Sequence, residues 1–338
     1  MSTCESLTIW WDGGLWLIDQ TLLPGELLPL RIKNIRQLID AIKLLRVRGA
    51  PALGAAGAYG VALAADLSRT TNALEMMADL ETAAEMIKAS RPTAVNLSWG
   101  VDRAISAAAL GETIEEIRQR TLAEAEDIAL EDIRINKLIG KNGAKLLDDG
   151  DHVLTHCNAG RLACVGWGTA LGVVRSACAA GKQIHVYSCE TRPLHQGSRL
   201  TAWELSSDKI PVTLICDSMS GSLMRKGMID KVIVGADRIT RDVVFNKIGT
   251  YSHAVLAKHH KIPFYVAAPL STFDRRHEES DIIVEMRDPD EICTLSGTRL
   301  APHGIDVYNP AFDATPLELV SGLITEKGVF RPPLMPPI

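Results

Sequence analysis

Residues 152–177 read HVLTHCNAGRLACVGWGTALGVVRSA, and the reading of this stretch decides the fold. It opens as an apolar strand, His152 to His156, and breaks at Cys157-Asn158-Ala159-Gly160. It then runs into an apolar segment, expected as a helix, that carries Gly166, Gly168 and Gly172. A strand that ends at a tight turn and feeds a helix is the usual anion-binding corner of an α/β sheet. N–H groups at the helix start point at the anion, and glycine lets the backbone come close. This corner also holds a thiol. Cys157 sits where the strand runs out, near the positive end of the expected helix, which favours the thiolate. A lone cysteine in an apolar run reads equally well as a small buried hydrophobe.

Working outward on the C-terminal side, short apolar runs recur at Ile184–Ser188, Val212–Cys216, Lys231–Val234 and Phe264–Ala267. Each interval is about long enough for one helix, the rhythm of a parallel sheet with crossover helices. Val232-Ile233-Val234 is apolar on both faces, as a covered strand must be. Residues 148–338 are therefore expected to form a Rossmann-like α/β catalytic domain. On the N-terminal side the apolar spacing is helical over residues 34–45, 52–67, 74–90, 96–110 and 113–147. Before these lies a tryptophan-rich stretch, Leu7 to Leu28, alternating with period two and turning at Asp12-Gly13-Gly14. It reads as a short β hairpin or meander. Residues 1–147 are expected to be a smaller, mostly helical domain, with the boundary at Asp148-Asp149-Gly150. The Pro332–Pro337 tail is expected to be extended and loosely held.

The 338 residues are 46% hydrophobic, enough to build real cores, and carry a formal net charge of −5. With no basic block to offset that charge, nucleic-acid binding is not expected. No apolar run is expected to reach membrane-spanning length, and the opening MSTCESLTIWWDGG lacks a signal-peptide pattern, so a soluble cytoplasmic protein is expected. Seven cysteines without a CxxC pair read as reduced thiols rather than a disulfide framework. No HExxH or Cys/His cluster is visible, and His259-His260 diverge on a helix, so no structural metal is expected. Neither a GxGxxG turn nor a Walker lysine is present to support a dinucleotide or nucleotide cofactor.

Ligands of open parallel sheets bind outside the carboxyl ends of the strands. The residues there are Cys157, then Cys189 to Pro193 with Gln196 to Arg199, then Asp217-Ser218-Met219, then Gly235 to Arg238, then Pro269 to Thr272. A thiol, carboxylates and arginines on one edge suit acid–base chemistry on a small anion. Asp237 follows an apolar strand, so desolvation would keep it partly protonated and fit it as an acid. A helix N-cap or an ion pair would use the same residue. Asn246-Lys247 is expected to open the next helix, offering an amide and a cation, or simply a solvated helix start. Arg48 and Arg91 lie in Gly/Pro turns of the helical half. Arginine suits bidentate phosphate binding, although a lone arginine is more often a surface residue.

Taken together, seven motifs resemble the methylthioribose-1-phosphate isomerase family, in the same order and along nearly the whole chain. They are Arg48-Gly49-Ala50-Pro51-Ala52, Arg91 to Leu97, Thr155-His156-Cys157-Asn158, and Glu190-Thr191-Arg192-Pro193 with Gln196-Gly197. Gly235-Ala236-Asp237-Arg238-Ile239, Asn246 to Tyr251 and Tyr308 to Asp313 complete the set. The resemblance implies an aldose–ketose isomerase of methionine salvage with Cys157 and Asp237 as the catalytic pair. It implies Arg48, Gly49, Ala50, Arg91, Gln196, Asn246 and Lys247 as the sugar-phosphate ligands, no metal or organic cofactor, and a homodimer. The wider superfamily includes ribose-1,5-bisphosphate isomerases and regulatory subunits of a translation-initiation exchange factor. The presence of both Cys157 and Asp237 resembles the isomerases. Two departures, a shorter stretch from Ile239 to Phe245 and Arg161 where a small or uncharged residue is common, leave open the group accepted at C5 of the sugar: methylthio, deoxy or phosphate.

Overall fold

The computed structural model describes residues 7–92 and 94–337. The first six residues of the MSTCESLTIWWDGG stretch, Cys4 among them, and Thr93 of the Arg91–Leu97 motif lie outside the described residues. The chain forms two compact units, residues 1–137 with 160–168, and residues 138–159 with 169–338. The divide therefore falls inside a long helix and on either side of loop 160–168, not at the polar turn 148–150. The loop joins the first unit through backbone and side-chain bonds: Thr8 N–H donates to the Val165 carbonyl (2.9 Å) and Gln20 Nε2 to the Leu162 carbonyl (2.8 Å).

In the first unit, β1 (Ile9–Trp11) and β2 (Leu15–Ile18) form the hairpin expected within Leu7–Leu28, and β3 (Pro29–Ile32), beyond those bounds, extends it to an antiparallel meander. Period-two alternation puts Trp10 across from Trp16, and their rings stack at 6.3 Å. Five helices follow: α1 (Ile35–Lys43), α2 (Ala50–Leu67), α3 (Ala73–Ala89), α4 (Val95–Ala108) and α5 (Ile114–Gly143). Asn34 and Asn72 start α1 and α3 by accepting N–H bonds from Gln37 and Leu74. Alanine and glycine make α2 apolar all round, and it packs against α1, α3 and α4, so that most of its residues are buried. By length and composition α2 is apolar enough to cross a membrane, which corrects the expectation that no segment is; its burial inside this unit accounts for that composition.

The second unit is built on a seven-stranded sheet. In chain order the elements are β4 (His152–Thr155), α6 (Ala170–Ala179), β5 (His185–Cys189), α7 (Ala202–Ser207), β6 (Val212–Ile215), α8 (Ser220–Arg225) and β7 (Lys231–Val234). Next come β8 (Arg238–Ile239), β9 (Val243–Lys247), α9 (Thr250–His260), β10 (Phe264–Ala267), α10 (Asp290–Cys293), β11 (Thr294–Leu295) and β12 (Thr298–Arg299). The last are β13 (Phe312–Pro316), β14 (Gly322–Thr325) and β15 (Gly328–Phe330). The sheet order is β15-β14-β10-β7-β4-β5-β6, parallel throughout except for the edge strand β15. All five strands expected from the apolar runs are present. Their inward residues, Leu154, Val232, Val234, Phe264 and Val266, are fully buried, as double-sided coverage requires.

The order of the parallel strands reverses between β7 and β4, as in doubly wound sheets, and the ligand crevice of such sheets opens at that point. The small antiparallel sheet β13-β9-β8 and the β11–β12 hairpin were not legible in the sequence. Asn246-Lys247 accordingly ends strand β9 instead of opening a helix; α9 begins only at Thr250.

Candidate functional site

The corner after β4 is not built as expected. Residues 161–163 make one short 3-10 turn, and α6 starts at Ala170. Trp167 and Gly168 sit at φ +67° and +86°, a left-handed pair that no right-handed helix continues through. The N–H groups of Thr169 and Leu171 both donate to the Ala159 carbonyl (3.0 and 3.2 Å). No helix therefore starts directly after Gly160, and the expectation of a helix-start phosphate cradle at that point is corrected.

Cys157 is held by its backbone. It adopts φ +65°, rare for a residue with a side chain, and is half-buried. Its N–H donates to Thr191 Oγ1 (2.8 Å), and its carbonyl accepts from Thr201 Oγ1 (2.7 Å). Thr191, also left-handed at φ +65°, donates Oγ1–H to the Cys189 carbonyl (3.0 Å). Asp217 accepts the N–H groups of Thr191 and Arg192, both at 2.7 Å. Strained backbone of this kind persists where surrounding bonds over-determine it. Behind Cys157, the Asn158 amide donates to Glu204 (2.9 Å), which is fully buried and paired with Arg175 (2.7 Å); Arg175 in turn bonds Asp208 (2.7 Å). Glu204 and Thr201 carried no sequence signal, because each acts across the fold; Thr191 stood in the Glu190–Pro193 motif, but its hold on Cys157 was not legible there.

Asp237 lies just past β7, the neighbour of β4, in the register Leu154↔Val232. The reversal of strand order thus sets the two predicted catalytic residues at the ends of adjacent strands. The Asp237 N–H donates to the Phe245 carbonyl (2.9 Å), tying it to β9. At the end of β9, Asn246 and Lys247 are both buried, 4% and 7% exposed. Asn246 Nδ2 donates to Thr250 Oγ1 (3.0 Å), and Lys247 Nζ sits 5.2 Å from the Phe312 ring centre. Among the described residues no carboxylate lies within 4.0 Å of that ammonium. Gln196, 6% exposed, has no partner for its Oε1. It precedes Gly197, where a Cβ would fall 1.6 Å from the Cys189 carbonyl oxygen, so only glycine fits.

Asp313 of β13 closes α9 by accepting the N–H groups of Gly249 (2.7 Å) and Tyr251 (3.2 Å). Burial outweighs those bonds and pushes its carboxyl up to about 6. A raised folded value means a contribution fully present below the ordinary pKa near 3.8 and lost as pH rises through about 6. The stability difference between the native chain and Asp313→Asn is therefore expected to shrink over that window, by at most about 1.4 kcal/mol per pH unit. Urea titrations of both chains at several pH values between 4 and 7 check it, and a difference independent of pH refutes it.

The remaining predicted residues belong to the first unit. Arg48, Gly49 and Ala50 meet at the N-terminus of α2, where Arg48 Nε donates to Gln20 Oε1 (3.1 Å). Gly49 is at φ +94°, and a Cβ there would come within 2.4 Å of the Ala163 carbonyl oxygen. Arg91 follows α3; its N–H donates to the Lys88 carbonyl (3.4 Å) and its carbonyl accepts from Ala94 (3.0 Å).

The structure also gathers a cluster the sequence hid. His156, Cys189 and His253, from the ends of β4 and β5 and from α9, offer ligand atoms within 4.8 Å of one another. The expectation that no Cys/His cluster exists is corrected; no spacing rule connects residues so far apart in the chain. Burial lowers His156 to about 4 and His253 to about 3, and raises the Cys189 thiol.

Comparison with known proteins decides the family. The initiation factor 2 subunit family matches over residues 46–332. This chain belongs to that family. Among relatives in the initiation factor 2 subunit family, a protein of Methanosarcina acetivorans named putative methylthioribose-1-phosphate isomerase is 60% identical, over 99% of this chain and 98% of its own. The crystal structure of 5-methylthioribose 1-phosphate isomerase from Pyrococcus horikoshii OT3 superposes with a TM-score of 0.92 at 41% identity, covering 98% of this chain and 96% of that one. A crystal structure described as translation initiation factor eIF-2B, subunit delta, from A. fulgidus superposes at 0.91 with 58% identity, covering 97% and 96%. The motif resemblance is borne out at the level of the family. Since both kinds of name occur among close relatives, side-chain chemistry has to separate isomerase from initiation-factor subunit.

Proposed function

We propose that this chain is an aldose–ketose isomerase that converts 5-methylthioribose 1-phosphate into 5-methylthioribulose 1-phosphate, a step of methionine salvage. The observation that carries the reading is Lys247. An ammonium 7% exposed, with no carboxylate within 4.0 Å among the described residues and only the longer-range charge of Asp313 beside it, is completed by a bound anion. A sugar phosphate supplies that anion, and its hydroxyls suit the orphaned Gln196 Oε1. Both belong to the same compact unit as Cys157 and Asp237, at the reversal of strand order. Arg48, Gly49, Ala50, Arg91 and Asn246 complete the proposed substrate ligands.

In an aldose 1-phosphate the anomeric oxygen is esterified, so the ring does not open to a free aldehyde. Asp237 gives its proton to the ring oxygen as the bond from that oxygen to C1 breaks. The hydrogen on C2 then moves to C1 while Cys157 handles the proton that must leave C2 or O2. Turnover in deuterium oxide separates the two routes: deuterium at C1 of the product means proton transfer, and none means a hydride shift. The enzyme acts in the cytoplasm as a homodimer, without nucleic acid, membrane or cofactor.

A carbon and phosphorus NMR time course tests the reading with 5-methylthioribose 1-phosphate, 5-deoxyribose 1-phosphate and ribose 1,5-bisphosphate. A C2 ketone with phosphate retained on C1 establishes the isomerase, and the fastest substrate assigns the C5 group. Conversion of none of the three by folded protein would move the chain to the role of a regulatory initiation-factor subunit. Lys247→Met is expected to weaken sugar-phosphate binding by about 10- to 100-fold, the worth of a charge-assisted hydrogen bond. Calorimetric titration with the substrate's ketose product measures this, and unchanged affinity removes Lys247 from the phosphate site.

A further inference from the structure

We propose that His156, Cys189 and His253 form a binding site for one soft divalent cation of the Zn2+ class, with Asp217 as its oxygen donor. The site takes no part in the sugar chemistry above and stands or falls separately from it.

The hydrogen bonds around the two rings aim their lone pairs at one point. His156 Nε2–H donates to the Ile248 carbonyl (2.8 Å), which leaves Nδ1 as a lone pair. Ser220 Oγ–H donates to the Asp217 carbonyl (3.2 Å), so His253 Nδ1–H donates to Ser220 Oγ (3.0 Å) and Nε2 is left as a lone pair. Those two nitrogens face each other at 3.2 Å in a pocket where His156 is 1% and His253 2% exposed. Two lone pairs at that range, away from water, repel unless a cation or a proton sits between them. Outer ring nitrogens tied to a carbonyl and a hydroxyl are the arrangement that orients metal-binding histidines. Nitrogens at 2.0–2.1 Å from one tetrahedral ion lie roughly 3.3 Å apart, which matches.

Donor type and charge agree. Two neutral imidazoles and a thiolate are the ligands a soft divalent ion prefers. At neutral pH the histidines are already deprotonated, and the ion displaces the thiol proton of Cys189. Asp217 Oδ1 lies 3.8 Å from His156 Nδ1, and its side chain is partly exposed, so it gives both a fourth ligand and a path to solvent. A divalent ion, one thiolate and one carboxylate sum to zero net charge. The ion would join the ends of β4 and β5 to α9.

The test uses the full chain, stripped with a chelator and incubated with Zn2+, then with Co2+. After gel filtration, about one equivalent of zinc per chain is expected, with release of about one proton as the thiol ionises. The Co2+ form is expected to show a thiolate-to-cobalt band in the near ultraviolet that survives Cys157→Ser and Cys216→Ser and disappears in Cys189→Ser. Should Cys189→Ser not fold, His253→Gln is expected to weaken zinc binding at least about 10-fold. Zinc at background level, a band that persists in Cys189→Ser, or unchanged affinity in His253→Gln would overturn the site. In that case the Ser220 hydroxyl turns to His253, and the two histidines share a proton.

Discussion

Cys157→Ser and Asp237→Asn are each expected to lose about 10²- to 10⁴-fold in kcat, with the fold intact. Serine keeps the size of cysteine and removes only the acidity of the thiol; asparagine keeps the shape of aspartate and removes its proton. Neither change removes the backbone bonds that hold these positions. Cys157 is fixed through its own backbone, by Thr191 and Thr201, and Asp237 through its N–H to Phe245. A loss of rate therefore reports chemistry and not collapse. The checks are kcat and KM with 5-methylthioribose 1-phosphate alongside circular dichroism and thermal midpoints. Unchanged midpoints with kcat down and KM nearly constant place the two groups at the reacting atoms. Full activity in either variant removes that residue from the mechanism.

Gly197→Ala is expected to cost more than about 3 kcal/mol and to reduce soluble protein sharply. The added Cβ would stand 1.6 Å from the Cys189 carbonyl oxygen and 2.9 Å from Thr191 Oγ1, and the nearer atom is backbone that has no rotamer to escape into. Relief requires β5 to move away from the turn that begins at Gly197. That shift breaks the Thr191 contact on which the Cys157 N–H depends, so activity falls with stability. Gly221→Ala is the matched control: its Cβ meets only Leu256 methyl carbons at 3.4–3.5 Å, and it is expected to stay within about 1 kcal/mol of the native chain. Thermal midpoints of the two variants decide the matter, and equal midpoints would show that β5 and the turn adjust freely.

The sequence was legible where burial repeats. Val232-Ile233-Val234 read as a covered strand, and the small apolar residues of α2 read as a closely packed helix, which its burial bears out. It misled where local glycines and small residues imitate a helix. The stretch from Arg161 to Gly168 looked like the start of α6, but left-handed Trp167 and Gly168 turn it into a loop of the first unit. Val243 to Lys247 misled in the opposite sense. It pairs with β13 from Phe312 to Pro316, and no local pattern announces a partner that distant.

What the sequence by itself determined was the class of fold, and it nominated Cys157 and Asp237 as the reactive groups to test. Period and apolarity are local properties, and the type of side chain at a strand end is read directly from the sequence. What only the tertiary structure decided was how those groups are held and charged. The left-handed backbone of Cys157 rests on the hydroxyls of Thr191 and Thr201, both beyond the end of β5. Among the described residues no carboxylate lies within 4.0 Å of the buried Lys247 ammonium, and His156, His253 and Cys189 are brought together from three separate elements. Each of these depends on distances between chain segments far apart in sequence, and packing alone sets such distances.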